Sequence, residues 1–435
     1  MCRSAGRSFA LVVTIVALAG VAVLVIARLR TGTAPTIAPM SPSLRGERIE
    51  FLTPRPLGLP VAPDDRPMIA HVSIADLDGD GMNDVIVADV SRNRVTWMRQ
   101  SPLGTFSELD CATEIPAPAH VQAVDLDRDG DLDLVVASLG VLFPNNAKIG
   151  AVLVLENDGR QAFTRHVLVD HVARVSDVRA GDLDGDGDLD LAVAQFGYDA
   201  GETRWMENVG NWRFESHVLQ SLSGPINAEV ADVDGDGDLD IVSLVSQEWE
   251  EVYVFANDGR GHFTANLIYG ASNEDFGSSW ITVVDLDGDG DVDVLYSNGD
   301  AFDYAPPQGR VWNGVQWLEN VGDRRFVYHR LADLPGASSP QAADMDGDGD
   351  LDIVVVSAYN DWSNPAAQSL VWLQNDGHMH FTLRDVANAP THLITLAAGD
   401  VDGDGRPDLV TGGMHVSRPY DRLSRVTLWT NAWPR

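Results

Sequence analysis

The segment Asp76-Leu77-Asp78-Gly79-Asp80-Gly81-Met82-Asn83-Asp84 carries carboxylates at its first, third, fifth and ninth positions, with a glycine at the sixth. The same nine-residue pattern, Asp-x-Asp-x-Asp-Gly-x-x-Asp, starts again at Asp125, Asp182, Asp232, Asp285, Asp344 and Asp400. The intervals are 49, 57, 50, 53, 59 and 56 residues. A period of this size is the mark of a repeat architecture. Between the copies runs a second frame. Trp205, Asn208, Gly210 and Phe214 recur as Trp317, Asn320, Gly322 and Phe326, and as Trp372, Asn375, Gly377 and Phe381. Val154-Asn157-Gly159-Phe163 and Val254-Asn257-Gly259-Phe263 keep the frame with Val for Trp, and Trp97, Gly104 and Phe106 form a degenerate first copy.

Each unit reads as four short strands. An alternating segment such as His71-Val-Ser-Ile-Ala precedes the acidic loop, and an apolar one such as Leu134-Val-Val-Ala follows it. The Trp segment is the third strand and the Phe segment the fourth, joined by Asn-x-Gly, whose residues tolerate positive φ. Four strands in about 55 residues, repeated seven times, is the pattern of a propeller blade. The expected fold is therefore all-β, a seven-bladed β-propeller of four-stranded blades, preceded by an N-terminal hydrophobic helix. The seventh unit ends at Leu428-Trp429-Thr-Asn431-Ala-Trp-Pro-Arg435 without its Phe strand. Residues 47–55, with Arg48-Ile-Glu-Phe51, resemble that missing strand and are expected to close the ring, removing an exposed sheet edge. The propeller then spans 47–435.

Phe9 to Ala27 is an uncharged run of 19 residues, flanked by Arg3, Arg7, Arg28 and Arg30. At ~1.5 Å per residue it matches a bilayer core. Residues 1–30 read first as an uncleaved signal anchor and second as a long cleaved signal peptide. Residues 31–46, rich in Thr, Pro, Ser and Ala, read as a linker. The propeller is expected outside the cytoplasm, membrane-anchored or secreted. Its two cysteines, Cys2 and Cys111, provide neither a disulfide framework nor a cysteine metal site.

The net charge is −35, from 30 basic and 65 acidic residues. Phosphate-backbone binding needs a basic face, so nucleic acid is not an expected partner. The seven loops hold 33 of the acidic residues, which leaves 32 against 30 basic ones elsewhere. Carboxylates a few ångströms apart repel by ~1 kcal/mol per pair even in water. A hard divalent cation resolves this. Positions 1, 3, 5 and 9 offer carboxylates and position 7 a backbone carbonyl, an oxygen-rich flexible set that favours calcium over magnesium. The expected ligands are Asp76, Asp78, Asp80, Met82 and Asp84 in loop one, and Asp125, Asp127, Asp129, Asp131 and Asp133 in loop two. Loop three offers Asp182, Asp184, Asp186, Asp188 and Asp190, and loop four Asp232, Asp234, Asp236, Asp238 and Asp240. Loop five offers Asp285, Asp287, Asp289, Asp291 and Asp293, and loop six Asp344, Asp346, Asp348, Asp350 and Asp352. Asp400, Asp402, Asp404, Arg406 and Asp408 complete loop seven. About seven Ca2+ sites follow. Val87 stands where an EF-hand needs its twelfth-position Glu, and the flanks are strands, so these are not EF-hands.

From residue 47 to 435 the chain resembles FG-GAP/VCBS-type repeat proteins, with the seven-bladed propeller of integrin α subunits. The resemblance rests on the acidic loop and on the Trp-x-x-Asn-x-Gly-x-x-x-Phe frame. It implies calcium in the hairpin between the first two strands of a blade, an extracellular setting, and a role in adhesion or ligand binding.

A ligand is expected on the face opposite the loops. Five residues before each loop stand His71, His120, Asp177, Asn227, Trp280, Ser339 and Thr395, expected to ring the channel mouth. The connections between second and third strands, expected to be long, carry Tyr198, Trp249, Tyr304, Tyr359 and Trp362, aromatics suited to a protein or carbohydrate. Neither a nucleophile elbow nor a His-Glu-x-x-His motif occurs. The reading is a calcium-binding adhesion scaffold; the alternative is a polysaccharide lyase or hydrolase with its site at the channel mouth.

Overall fold

The computed structural model describes residues 51–302, 304 and 307–433. The expected N-terminal helix, the signal segment and the linker lie outside them. The described residues form 28 strands in seven four-stranded antiparallel sheets. Blade one is Ile69–Ala75, Asp84–Asp89, Arg94–Gln100 and Phe106–Thr113, each strand paired with the next. Blades two to six repeat this order. In blade seven the outer strand is Leu52–Leu57, paired antiparallel with Val426–Asn431 from Leu52↔Asn431 to Leu57↔Val426. Among the described residues no helix is long and apolar enough to cross a membrane.

The core sits between blades. Second strands such as Asp84–Asp89 and Asp133–Ser138 are buried on both faces, as their unbroken apolar runs require. Ile86 and Ala88 pack towards blade two with Trp97, Val121 and Leu134. Val85 and Val87 pack the other way, against Val410, Leu428 and Leu57 of blade seven. One such cluster occupies every blade junction.

The second residue of each acidic loop also enters these clusters. Leu77, Leu126, Leu183, Val233, Leu286, Met345 and Val401 are all buried, each in the junction with the following blade. An aliphatic side chain inside an acidic nonapeptide is thus a plug that fixes the loop to the core.

The long connections are confined to some blades. They run 139–149 in blade two, 299–313 in blade five, 358–369 in blade six and 414–425 in blade seven. Blades three and four turn through 197–201 and 246–250, shorter than expected.

Candidate functional site

The acidic loops join the first and second strands of every blade. Their backbone is shaped by their own carboxylates. Asp76 accepts from Asp80 N and Gly81 N at 3.0 and 2.8 Å, and Asp80 accepts from Met82 N at 3.0 Å. Position 4 is left-handed as well as position 6. Gly79 and Gly81 have φ of 67° and 87°, and Arg128, the one non-glycine at position 4, is held at 63°.

The ninth-position aspartates have a role that the sequence reading did not assign. Asp84, Asp133, Asp190, Asp240, Asp293, Asp352 and Asp408 are buried. In each, one oxygen accepts from the N–H of position 2, as Leu126 N does to Asp133 at 3.2 Å. The other accepts from the N–H at the end of the third strand, as Asn157 N does at 2.8 Å. The Asn157 amide then donates to Leu132 O at 3.2 Å and, across the junction, to Leu77 O of blade one at 3.5 Å. Asn257, Asn320 and Asn431 cross to Leu183, Val233 and Met345 in the same way. In blade one Gln100 replaces the Asn and reaches Val401 O at 2.9 Å. In blades two, four and five the turn-forming Asn of the second frame is therefore also an inter-blade tie. Its Gly takes a left-handed backbone, with φ of 67° at Gly159 and 78° at Gly210.

The loops concentrate charge that burial makes costly. Burial pushes Asp84, Asp133, Asp240, Asp293 and Asp408 up to about 6, and Asp190 and Asp352 up to about 7. At position 3, burial and then neighbouring carboxylates raise Asp127, Asp184, Asp287, Asp346 and Asp402. Carboxylate oxygens of Asp76, Asp78 and Asp84 lie within 4.8 Å of one another, as do those of Asp182, Asp184 and Asp190. In loops two and four the converging trios are Asp125, Asp127, Asp129 and Asp232, Asp234, Asp236. Asp78 Oδ1, Asp125 Oδ1, Asp234 Oδ1 and Asp346 Oδ1 are buried without a hydrogen-bond partner among the described residues. An all-oxygen, convergent set with orphaned acceptors fits a hard divalent cation. Some loops have a protein counter-charge too: Arg99 binds Asp78 at 2.6 Å, Arg324 binds Asp234 at 2.8 Å, and Arg406 pairs with Asp404.

The model of the FG-GAP-like repeat matches residues 76–136, 182–243, 232–296 and 344–411, together more than half of the chain. The chain belongs to the FG-GAP-like repeat family. Among solved structures, the FG-GAP propeller resembles BBS1N in complex with ARL6DN, at 12% identity, TM-score 0.51, over 86% of this chain and 95% of that one. It also resembles the Dos1 propeller, at 10% identity, TM-score 0.50, over 84% and 78%. The V. cholerae biofilm matrix protein Bap1 is 13% identical over 88% and 92%, with a TM-score of 0.46. At these identities the likeness of the first two is one of fold. No curated protein matches the chain.

On the opposite face of the FG-GAP propeller, the expected ring of His71, His120, Asp177, Asn227, Trp280, Ser339 and Thr395 lies deeper than the channel mouth. All but Trp280 are buried. A register shift is the reason. In blades one to four and seven the inner strand skips the residue six before the loop, as between Ile69 and His71. Such a bulge re-aims side chains. The skipped residues Ala70, Ala119, Ser176, Ile226 and Ile394, with Ser279 and Ser338, line the mouth instead.

The displaced ring ties blades together. Thr395 Oγ1 accepts from Val72 N at 3.2 Å, Ser339 Oγ from Leu396 N at 3.0 Å, and Asp177 Oδ2 from Ala228 N at 3.1 Å. Each donor stands four residues before the next blade's loop. The His71 and His120 rings face the main chain of the equivalent Val121 and Val178. Trp280 offers no acceptor, and the corresponding residue of blade six is Pro340, which has no N–H to satisfy. Trp280 instead stacks on His71 across the channel, at 6.0 Å between centroids, and His71 lies 4.1 Å from His120. Burial holds both histidines well below 6.5, hence neutral.

Above this layer a funnel of about 180 Å³ opens, with walls that include Leu142, Phe196, Phe302 and Met414 and with Trp280 and Asn227 among its lining. Tyr198 and Tyr359 also line it, but Tyr359 is buried against Phe302. Trp362 is buried against His392, while Trp249 donates to Ser223 Oγ at 3.1 Å and Tyr304 to Asp275 at 3.1 Å. The expected exposed aromatics thus pack largely on neighbouring loops.

Proposed function

We propose that the protein is an extracytoplasmic calcium-binding scaffold whose seven loops take Ca2+ and whose opposite face holds a partner. The observation that carries this reading is the convergence of carboxylates at the same hairpin in blades one to four, with four buried loop oxygens that no donor among the described residues meets. Positions 1, 3, 5 and 9 would supply carboxylates and position 7 its carbonyl. The cation would neutralise the loops and lock the turn that connects the two innermost strands. Support for a partner comes from the funnel, and the same fold holds a protein partner in the BBS1N–ARL6DN complex.

Metal content and thermal melts of the purified propeller test the calcium reading. At ten times the dissociation constant each independent site adds about 1.4 kcal/mol, and seven about 10 kcal/mol. Chelation is expected to lower the melting temperature by many degrees, with calcium restoring it and magnesium doing so poorly. Equal rescue by both ions, or folded protein without stoichiometric alkaline-earth metal, rejects the assignment. Incubation with a glycan and protein panel then tests the scaffold: retention without turnover is expected.

A further inference from the structure

Beside the funnel lies a second cavity of about 250 Å³, lined by Glu248, Glu250, Glu274, Asp275 and Asp300 among others and, among the described residues, by neither Lys nor Arg. The two share Gln247 and Asp300, so they adjoin. Glu250 is already satisfied by Gly277 N and Ser278 N at 3.2 and 2.8 Å, whereas Glu248, Glu274 and Asp275 are exposed. A third observation comes from the funnel itself. Asn227 is 2% exposed and its Nδ2 donates to Asp177 at 3.3 Å, but its Oδ1 has no partner among the described residues. An acceptor buried in this way needs a donor.

We propose that funnel and groove form one composite site for a segment of a protein partner. That segment inserts an aromatic side chain with a polar tip, flanked by arginine or lysine. The inference rests on the scaffold reading above and names its ligand chemistry. Size favours a single side chain, since small-molecule sites usually enclose roughly 300–1,000 Å³. Apolar walls and the Trp280 ring select an aromatic body, and Asn227 Oδ1 selects an N–H or O–H at its tip. The carboxylates next to it select a cation on the neighbouring residue, by charge complementarity.

The test uses the calcium-loaded full chain and fluorescently labelled, end-blocked peptides: Gly-Arg-Tyr-Arg-Gly, Gly-Glu-Tyr-Glu-Gly and Gly-Arg-Ala-Arg-Gly. Anisotropy titrations are expected to show the first binding at least roughly tenfold tighter than the others, and weakening with salt. Ala119→Trp, which fills the funnel, and the exposed pair Glu248→Lys/Glu274→Lys are each expected to weaken it by a similar factor. The charge-reversed pair should melt as the parent does, so its loss cannot be assigned to misfolding. Equal binding of the Tyr and Ala peptides overturns the proposal, as does no binding at about 1 mM, a free energy of only about −4 kcal/mol. Tyramine binding as tightly as the peptide replaces it with a free aromatic amine. A panel partner retained by both variants leaves the scaffold standing and removes this site.

Discussion

Asp129 and Asp133 lie four residues apart in one loop and should respond differently to substitution. Asp129 is exposed and bonds only within its own turn, to Asp131 N. Asp133 is buried and anchors two backbone donors, Leu126 N and Asn157 N. Leaving such donors unmet costs about 1–3 kcal/mol each. Asp133→Ala is therefore expected to destabilise by about 2–4 kcal/mol in chelator as well as in calcium, whereas Asp129→Ala should matter only in calcium. Denaturant melts of both variants in both conditions check this, and equal losses in chelator would refute the division of labour. Arg128 gives a second residue-scale expectation. Its φ of 63° is a conformation that glycine adopts freely. Arg128→Gly should be neutral to stabilising, by up to about 1 kcal/mol, where a surface Arg→Gly elsewhere would destabilise. The carboxylate spacing was readable from the chain, but the anchoring role of position 9 was not. Its partners are main-chain groups, one of them 24 residues away in another strand, and main-chain donors leave no mark in sequence. The buried aliphatic at position 2 did leave one, an invariably apolar residue inside an acidic loop.

At the scale of the strand, the blade boundaries and the four-strand pattern follow from period and turn chemistry, and the structure has them. The channel-facing residues do not follow so simply. Counting back by twos from the loop assumes an unbroken strand, and the bulge displaces the mouth by one residue, from His71 to Ala70 and from Thr395 to Ile394. The outer strand of blade seven carries the next expectation. Leu52–Leu57 covers Val426–Asn431, and just ahead of it Phe51 packs 5.1 Å from Trp372 and 4.9 Å from Trp433. Removing residues 46–58 strips both the strand and its ring contacts, and leaves an unpaired edge that can recruit another chain. The truncated protein should melt well below the parent and aggregate with concentration. The milder Phe51→Ala should cost about 3–5 kcal/mol by cavity formation. An unchanged melting temperature for the truncation would show that the strand is dispensable.

Over the whole molecule, two sets of buried titrating groups oppose each other, and a bound cation would decide which one shows. The seven ninth-position carboxyls sit at about 6 to 7, above their unfolded value near 3.8, because burial disfavours their charge. The folded state therefore binds more protons than the unfolded chain between about pH 4 and 7, and this set loses stability as pH rises through the folded values. Four histidines have the opposite sign. Burial holds His71 and His120 well below 6.5, His392 at about 3 and His415 at about 4. Here the unfolded chain binds the extra protons, so each histidine removes about 1.4 kcal/mol of stability per pH unit as pH falls below 6.5, until its folded value is reached. In chelator the carboxyls outnumber the histidines, and the melting temperature should rise when pH is lowered from 7.5 to 5. In calcium the carboxylates would stay ionised around the ion, leaving the histidines to act alone, and the same change of pH should lower the melting temperature. Calorimetric scans in the two buffers across this range would give slopes of opposite sign. Parallel slopes would mean that the loops hold their charge without a cation, and the account of the acidic repeats would fail with them.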